Sequence, residues 1–189
     1  GKAATMYVMM DKIENTVQGA VYKLPLKMES GTMRAARNPK DGMIYYSGLT
    51  GWQAGATQEG SVQRLRFTGN NGIYLNKAKA RKHRLELTFS DPVKPDSIQK
   101  GIFSATAWNY RWSRGYGSPS FKVTDPETRG DDKLEIEALD LSKDGKTLTV
   151  RIPELLPCHN LKLDFAVDGA NGGQLSGPVY FTIHELPES

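Results

Sequence analysis

The side chains best suited to binding chemistry are concentrated in residues 108–119. Four aromatic and two basic side chains fall within nine positions of this run: Trp108, Tyr110, Arg111, Trp112, Arg114 and Tyr116. Aromatic faces stack on sugar rings, and planar guanidinium groups donate to hydroxyl or carboxylate oxygens. The run therefore predicts either a carbohydrate-binding surface or the packed interior of a domain junction.

The spacing within the run divides it into two parts. In a β-strand Trp108, Tyr110 and Trp112 share one face because they lie two residues apart, which predicts a packed face, with Arg111 on the other side. Residues 113–119 are rich in Gly, Ser and Pro and are typical of a loop. Arg114 and Tyr116 are therefore the better ligand candidates, with Trp112 and Arg111 as tentative additions.

Trp52 is a further candidate, and it lies in a glycine-rich segment between residues 48 and 60. It either lines a groove together with the aromatic run or pins the N-terminal strands to the domain that follows. We favour the second interpretation, and both stay open at this point.

Residues that could support catalysis or metal binding are sparse. Cys158 is the only cysteine and precedes His159, a pair that suggests a thiol nucleophile or half a metal site, although a semi-buried structural cysteine is the simpler interpretation. Asp125, Asp131 and Asp132 suggest paired carboxylates or a Ca²⁺ loop, but their spacing is not that of an EF-hand. We expect no catalytic residue, no bound metal and no cofactor in this chain.

The charge of the chain is unevenly distributed. Residues 1–84 carry 14 Lys and Arg against 5 Asp and Glu, a net charge of +9, whereas residues 85–189 carry 11 against 16, a net charge of −5. The basic excess peaks at residues 77–84 and lacks a nucleic-acid-binding motif. It is expected to be a solvated connector or a face that meets an acidic neighbouring domain. No nucleic-acid partner and no membrane insertion are predicted.

Alternation of apolar and polar residues dominates the chain, while helical periodicity is almost absent. Turn signals such as Asn38–Gly42 and Lys143–Lys146 separate the alternating segments. One short helix is predicted at residues 95–100, capped by Asp96 or Ser97. Strands are predicted at residues 20–24, 32–37, 43–47, 61–67, 85–89, 134–139, 148–152, 161–167 and 179–183.

These elements predict an all-β protein of two parts. Residues 1–75 are expected to form an antiparallel β-meander the size of one propeller blade, and residues 76–189 an Ig-like or fibronectin III-like β-sandwich. A lone blade cannot bury both faces, so the meander is expected to pack on the sandwich. Because no apolar leader follows Gly1, the sequence is expected to begin inside a longer protein.

Short segments in order along nearly the whole chain match a known family, at residues 17–21, 25–26, 30–34, 38–42, 48–53, 64–69, 87–93, 108–119, 141–147 and 152–155. Together they resemble the C-terminal region of large secreted bacterial proteins known as membrane-bound or glucose/sorbosone dehydrogenase-like proteins. Those proteins combine a propeller with cytochrome c domains. The most specific part of the resemblance is residues 108–119, and residues 87–93 also resemble the first strand of bacterial Ig-like domains.

The resemblance implies a non-catalytic accessory module of a secreted, periplasmic or cell-surface protein. Its partners would be the neighbouring propeller and cytochrome c domains of the same parent chain. Catalysis in such a parent, with a quinone cofactor, would rest on propeller residues outside this sequence. With a single cysteine, this chain cannot form the Cys-x-x-Cys-His motif that attaches a c-type haem.

Overall fold

The computed structural model describes residues 4–51, 56–66 and 72–188, and it confirms the predicted all-β fold. All strand pairs are antiparallel. The chain divides into two compact units, one of residues 1–7 and 23–70 and one of residues 8–22 and 71–189. The strands are β1 (Met6–Ile13), β2 (Thr16–Lys23), β3 (Gly31–Arg37), β4 (Ile44–Leu49), β5 (Gly60–Leu65), β6 (Leu75–Arg81), β7 (Arg84–Phe89), β8 (Ser104–Trp108), β9 (Asp132–Leu134), β10 (Ala138–Leu141), β11 (Thr147–Arg151), β12 (Cys158–Asp168) and β13 (Gln174–Ile183).

The second unit consists of two sheets. One has the strand order β1-β2-β13-β12-β8-β9, and the other has the order β10-β11-β7-β6. The two sheets share an apolar core, as in a β-sandwich: the ring of Phe165 on β12 lies 6.4 Å from that of Phe89 on β7 and 6.4 Å from that of Phe103. Alternation fills this core, since every second residue is buried along β7, along β11 and along β12 from Leu161 onward.

The first unit contains the three-stranded meander β3-β4-β5. The predicted turn at residues 38–42 is present, where the Gly42 amide donates to the Asn38 carbonyl at 2.8 Å. At the other end of the β3–β4 pair the backbones approach closely. A Cβ on Gly48 would lie 1.7 Å from the Gly31 carbonyl oxygen, so only glycine fits there.

The boundary between the units differs from the one expected at residue 75. The strand predicted at residues 20–24 is β2, and it pairs with β13 through registers such as Val179–Tyr22 instead of joining the meander. Local patterning cannot reveal such a pairing because its partners lie more than 150 residues apart. The strand β1, which precedes β2, was not predicted.

Two other local predictions are corrected. The helix expected at residues 95–100 is a pair of short 3-10 turns, Pro95–Ser97 and Lys100–Ile102, and neither has a side-chain cap. The Ser97 hydroxyl instead donates to the Lys94 carbonyl and accepts from the Asp168 amide, which ties the turn to β12. The strand expected at residues 134–139 is interrupted, because β9 and β10 belong to different sheets.

Candidate functional site

The aromatic run leaves the sheet at its first member. Strand β8 ends at Trp108, which is opposite Asn160 of β12, and Asn109 then pairs with Phe121 through amide–carbonyl bonds of 2.8 and 2.9 Å. Residues 109–121 form a closed excursion that we call the aromatic hairpin, and residues 112–117 are its tip. The predicted packed face is wrong: Trp108 is half-buried, whereas Tyr110 is 53% exposed and Trp112 is 98% exposed. Residues two positions apart share a face only within a strand, and β8 ends at Trp108.

His159 on β12 holds the first strand of the hairpin in place. Its Nδ1 accepts the Tyr110 amide at 3.1 Å, and its ring lies 4.4 Å from the Tyr110 ring. In return, the His159 amide donates to the Asn109 side-chain oxygen at 2.8 Å. An Nδ1 that accepts a hydrogen bond carries no proton, so the proton of the neutral imidazole is on Nε2. Tyr110 and His159 therefore belong to the support of the hairpin.

Arg111 also supports the hairpin. Its guanidinium donates to the Pro126 carbonyl and to the Glu127 carboxylate, the latter at 2.6 Å, and it lies 4.3 Å from the centre of the Phe121 ring. These contacts join the hairpin to the loop that follows it. The charge of Arg111 and two hydrogen bonds from its guanidinium are therefore used within the protein.

The tip presents the remaining candidates to solvent. The Arg111 amide donates to the Ser118 hydroxyl at 3.0 Å, which closes the loop below the tip. Trp112 and Tyr116 are both fully exposed, at 98% and 104%, and Arg114 lies between them in sequence and is also exposed. Of the predicted site residues, the structure brings Trp112, Arg114 and Tyr116 together on one loop. Trp52 lies outside the described residues. Whether it lines a groove with the aromatic run or pins the N-terminal strands to the following domain therefore stays open.

The acidic residues near the hairpin organise their own loop. Asp132 accepts the Val123 amide at 2.6 Å, the Thr124 amide at 2.9 Å and the Thr124 hydroxyl at 2.8 Å. Asp125 accepts from the Thr128 hydroxyl at 2.5 Å and the Glu127 amide at 3.3 Å. Among the described residues, no group of three or more His, Cys, Asp or Glu side chains is arranged to hold a metal ion.

Replacing Asp132 with alanine is expected to destabilise the protein by roughly 1–3 kcal/mol, because it removes the acceptor of three hydrogen bonds. Burial raises the pKa of Asp132, but hydrogen bonds from Thr124 and Val123 outweigh this effect and hold the pKa below its usual value. The stabilisation is therefore complete above the ordinary pKa of about 3.9 and disappears as the pH falls through the lower, folded-state pKa. Denaturant titrations at pH 7 and below pH 4 measure it.

The neighbouring Asp131 provides the matched control for that measurement. Its side chain is exposed and makes no hydrogen bond within the described part of the chain. Asp131→Ala should change the free energy of unfolding by less than about 0.5 kcal/mol at both pH values. Equal losses in the two variants would contradict the assignment of Asp132 as the organiser of its loop.

Cys158 and His159 do not form a reactive pair. Adjacent strand residues point to opposite faces, and Cys158 is buried in the core while His159 is exposed. Burial raises the pKa of the Cys158 thiol to about 12, so the thiolate is essentially absent at neutral pH. Cys158 therefore packs as a small apolar residue.

Part of the basic cluster is not the solvated connector that was expected. Residues 75–81 form β6, and Arg81 is buried, with its guanidinium 2.6 Å from the Asp11 carboxylate on β1. Lys79 approaches the same carboxylate at 3.5 Å. This triad joins the edge strands of the two sheets in the second unit. The alternation of Ala78 and Ala80 with basic residues was the available sequence signal for a strand here.

An open groove of about 600 Å³ lies at the other end of β8 from Trp108. Its lining combines apolar and charged side chains, including Phe103, Lys100 and Lys133. The Lys100 ammonium donates to the Glu137 carbonyl at 3.1 Å. The one aromatic residue among the described residues that line the groove, Phe103, is buried, so we treat the groove as a weaker candidate for stacking on a sugar than the tip.

Comparisons with known proteins do not identify a functional site in this chain. No protein-family model matches the chain, and no curated protein sequence matches it. Within the described residues there is no helix of the length and apolar character required to cross a membrane.

Proposed function

We propose that this chain is a non-catalytic accessory module that binds carbohydrate through the tip of its aromatic hairpin. The observation that carries the proposal is the full exposure of Trp112 and Tyr116 on a loop whose base is fixed at several points. Exposed aromatic side chains contribute nothing to the core, and a loop with a fixed base presents both of them to a ligand.

The energy available from such stacking is sufficient for specific binding. A buried aromatic side chain removes about 150–250 Å² from water, and roughly half of that area is covered when a sugar ring stacks on one face. At about 25 cal/mol per Å², each ring contributes about 2–3 kcal/mol. Two rings therefore supply the gross energy of a weak to moderate glycan interaction, before the cost of association is subtracted.

We propose that the chain is not catalytic because its candidate reactive groups, within the described residues, are buried or already hydrogen-bonded. The Cys158 thiol is buried on the opposite face of β12 from His159. The carboxylates of Asp125 and Asp132 are engaged by hydrogen bonds from their own loop. Asp132 does line a small pocket together with Glu154, but the pocket holds only about 10 Å³, too little for a sugar ring between two carboxylates.

The parent protein is proposed from the sequence resemblance alone. A secreted or periplasmic dehydrogenase-like protein would use this module to stabilise its propeller or to hold the enzyme near a polysaccharide. The neighbouring propeller and cytochrome c domains would then be its partners within the same chain, and the Ig-like type of the sandwich belongs to the same proposal. A purely structural role for the module is the competing possibility, and an exposed tip that binds no glycan would favour it.

A glycan array followed by calorimetry on the whole chain tests the function. We expect the wild-type protein to bind at least one plant, algal or host polysaccharide. Failure to bind any glycan on the array would overturn the carbohydrate-binding proposal. Turnover of a sugar or glycoside by the purified chain without an added cofactor would overturn the non-catalytic part.

A further inference from the structure

The two arginines of the aromatic hairpin have different environments. Arg111 is bound by Pro126 and Glu127 and lies against the Phe121 ring. Arg114 is exposed and has neither a hydrogen bond nor an ion pair within the described part of the chain. The sequence places both arginines in one run, but Arg111 is already paired with Glu127, so Arg114 is the better placed of the two to bind a ligand.

The charge at the tip is uncompensated. Residues 112–118 contain Arg114 as their single charged side chain and no acid. In the loop that follows, Glu127 pairs with Arg111 and Asp125 accepts a hydrogen bond from Thr128. A ligand at the tip therefore meets one free guanidinium between two aromatic side chains, with no carboxylate in the same segment to oppose an anion.

We propose that the tip selects anionic polysaccharides, in which a carboxylate or sulfate on the sugar binds Arg114 while sugar faces stack on Trp112 and Tyr116. This inference rests on the proposed carbohydrate-binding function and specifies its ligand class. The planar guanidinium fork matches the two oxygens of a carboxylate or sulfate, and such charge-assisted bonds are roughly twice as strong as neutral ones. With a neutral glycan, the Arg114 N–H groups could donate only to sugar hydroxyl groups and water, which bind them more weakly.

The polar composition of the tip favours a glycan over a lipid surface. Ser113, Arg114 and Gly115 separate Trp112 from Tyr116, and Gly117 follows them. An interfacial membrane anchor presents a continuous apolar face, often with several basic residues beside it. The tip has neither feature, since the two rings are isolated among small polar residues and a single cation is present.

Calorimetry with matched charged and neutral polymers tests the selection. Polygalacturonate is paired with its fully methyl-esterified form, and dextran sulfate is paired with dextran, so that the two pairs distinguish a carboxylate from a sulfate ligand. We expect the wild-type chain to bind at least one anionic polymer ten-fold or more tightly than its neutral partner. We also expect this preference to fall as salt is raised, because the interaction is screened.

Variants at equal net charge identify the responsible residue. Arg114→Ala is expected to weaken binding of the anionic polymer by about ten-fold or more and to abolish the preference over the neutral one, and Arg114→Lys should restore part of it. Lys143→Ala removes the same charge from an exposed turn and should leave the affinity unchanged. Equal losses for Arg114→Ala and Lys143→Ala would overturn the proposal, because they would show a nonspecific charge effect.

The failure of this inference is distinguishable from failure of the proposed function. Equal binding of charged and neutral polymers, lost in Trp112→Ala, would overturn the anionic selection and leave carbohydrate binding intact. If none of the four polymers bound but a different neutral glycan bound on the array, the anionic selection would again be overturned and carbohydrate binding would stand. Binding to phosphatidylserine vesicles without binding to any glycan would overturn both.

Discussion

Replacing Asp11 with alanine is expected to lower the free energy of unfolding by about 3–5 kcal/mol, a large part of the stability of an ordinary domain. The side chains of Asp11 and Arg81 are only 7% and 8% exposed, and their charged groups lie 2.6 Å apart. Removal of the carboxylate leaves the Arg81 guanidinium buried, with the Ala80 carbonyl as its one remaining acceptor among the described residues. Guanidinium denaturation of the two proteins measures the loss.

The pH dependence of this pair follows from the same contacts. Burial raises the pKa of Asp11, but the hydrogen bond and charge of Arg81, together with Lys79, outweigh it and hold the pKa below its usual value. The contribution of the pair is therefore complete above the ordinary pKa of about 3.9 and falls away as the pH drops through the folded-state pKa. The difference between wild type and Asp11→Ala should shrink accordingly below pH 4.

Two further variants separate the buried pair from a general charge effect. Lys79 is more exposed, so Lys79→Ala should cost less than about 1 kcal/mol. The double variant Asp11→Leu with Arg81→Met replaces the pair by apolar side chains and should recover most of the loss, because neither charge is then buried alone. A loss below about 1 kcal/mol in Asp11→Ala would contradict the view that this contact closes the edge of the sandwich.

Replacing Trp112 with alanine is expected to weaken glycan binding by ten-fold to a hundred-fold, since it removes the larger stacking surface of the tip. Tyr116→Ala should have a smaller effect, and the double variant should leave no measurable affinity. The unfolding midpoint should not change, because Trp112 is almost fully exposed and packs on no other residue of the core. Calorimetry reports the affinity, and quenching of tryptophan fluorescence by the ligand should disappear in Trp112→Phe.

Tyr180 supplies the matched control for the tip. It is an exposed aromatic residue of the same unit but lies on β13, away from the hairpin in the sheet order. Tyr180→Ala should bind glycan with wild-type affinity. A loss of affinity equal to that of Trp112→Ala would show that binding is a diffuse property of exposed aromatic surface, and unchanged affinity in Trp112→Ala would remove the tip as the site.

Most strands that pack one face on the core were accessible to sequence reasoning, although β6 and β8 were not predicted despite their buried residues. The alternation of Leu85, Leu87 and Phe89 places all three residues inside, and β11, β12 and β13 follow the same rule. The period is local and is enforced by burial of one face, so it survives in the linear sequence. β1 was missed because its apolar residues include adjacent pairs, such as Met9 and Met10, that blur the alternation.

The candidate site was only half accessible to the same reasoning. Composition located the aromatic run, and its Gly, Ser and Pro residues indicated a loop at Arg114 and Tyr116. The same spacing argument misplaced Trp112 in a packed face, because no local signal showed that β8 stops at Trp108 where its pairing with β12 ends. The roles of His159 and Glu127 depend on contacts between residues far apart in sequence.

The sequence by itself determined the all-β class, most of the strands and the segment proposed as the binding site, since these depend on local periodicity and composition. Only the tertiary structure decided which arginine is free, that Trp112 faces solvent, and that a basic stretch is a strand whose Arg81 is neutralised by Asp11. Each of these depends on which distant segments meet. The burial, hydrogen bonding and charge of a side chain are set by those neighbours and not by its own position in the chain.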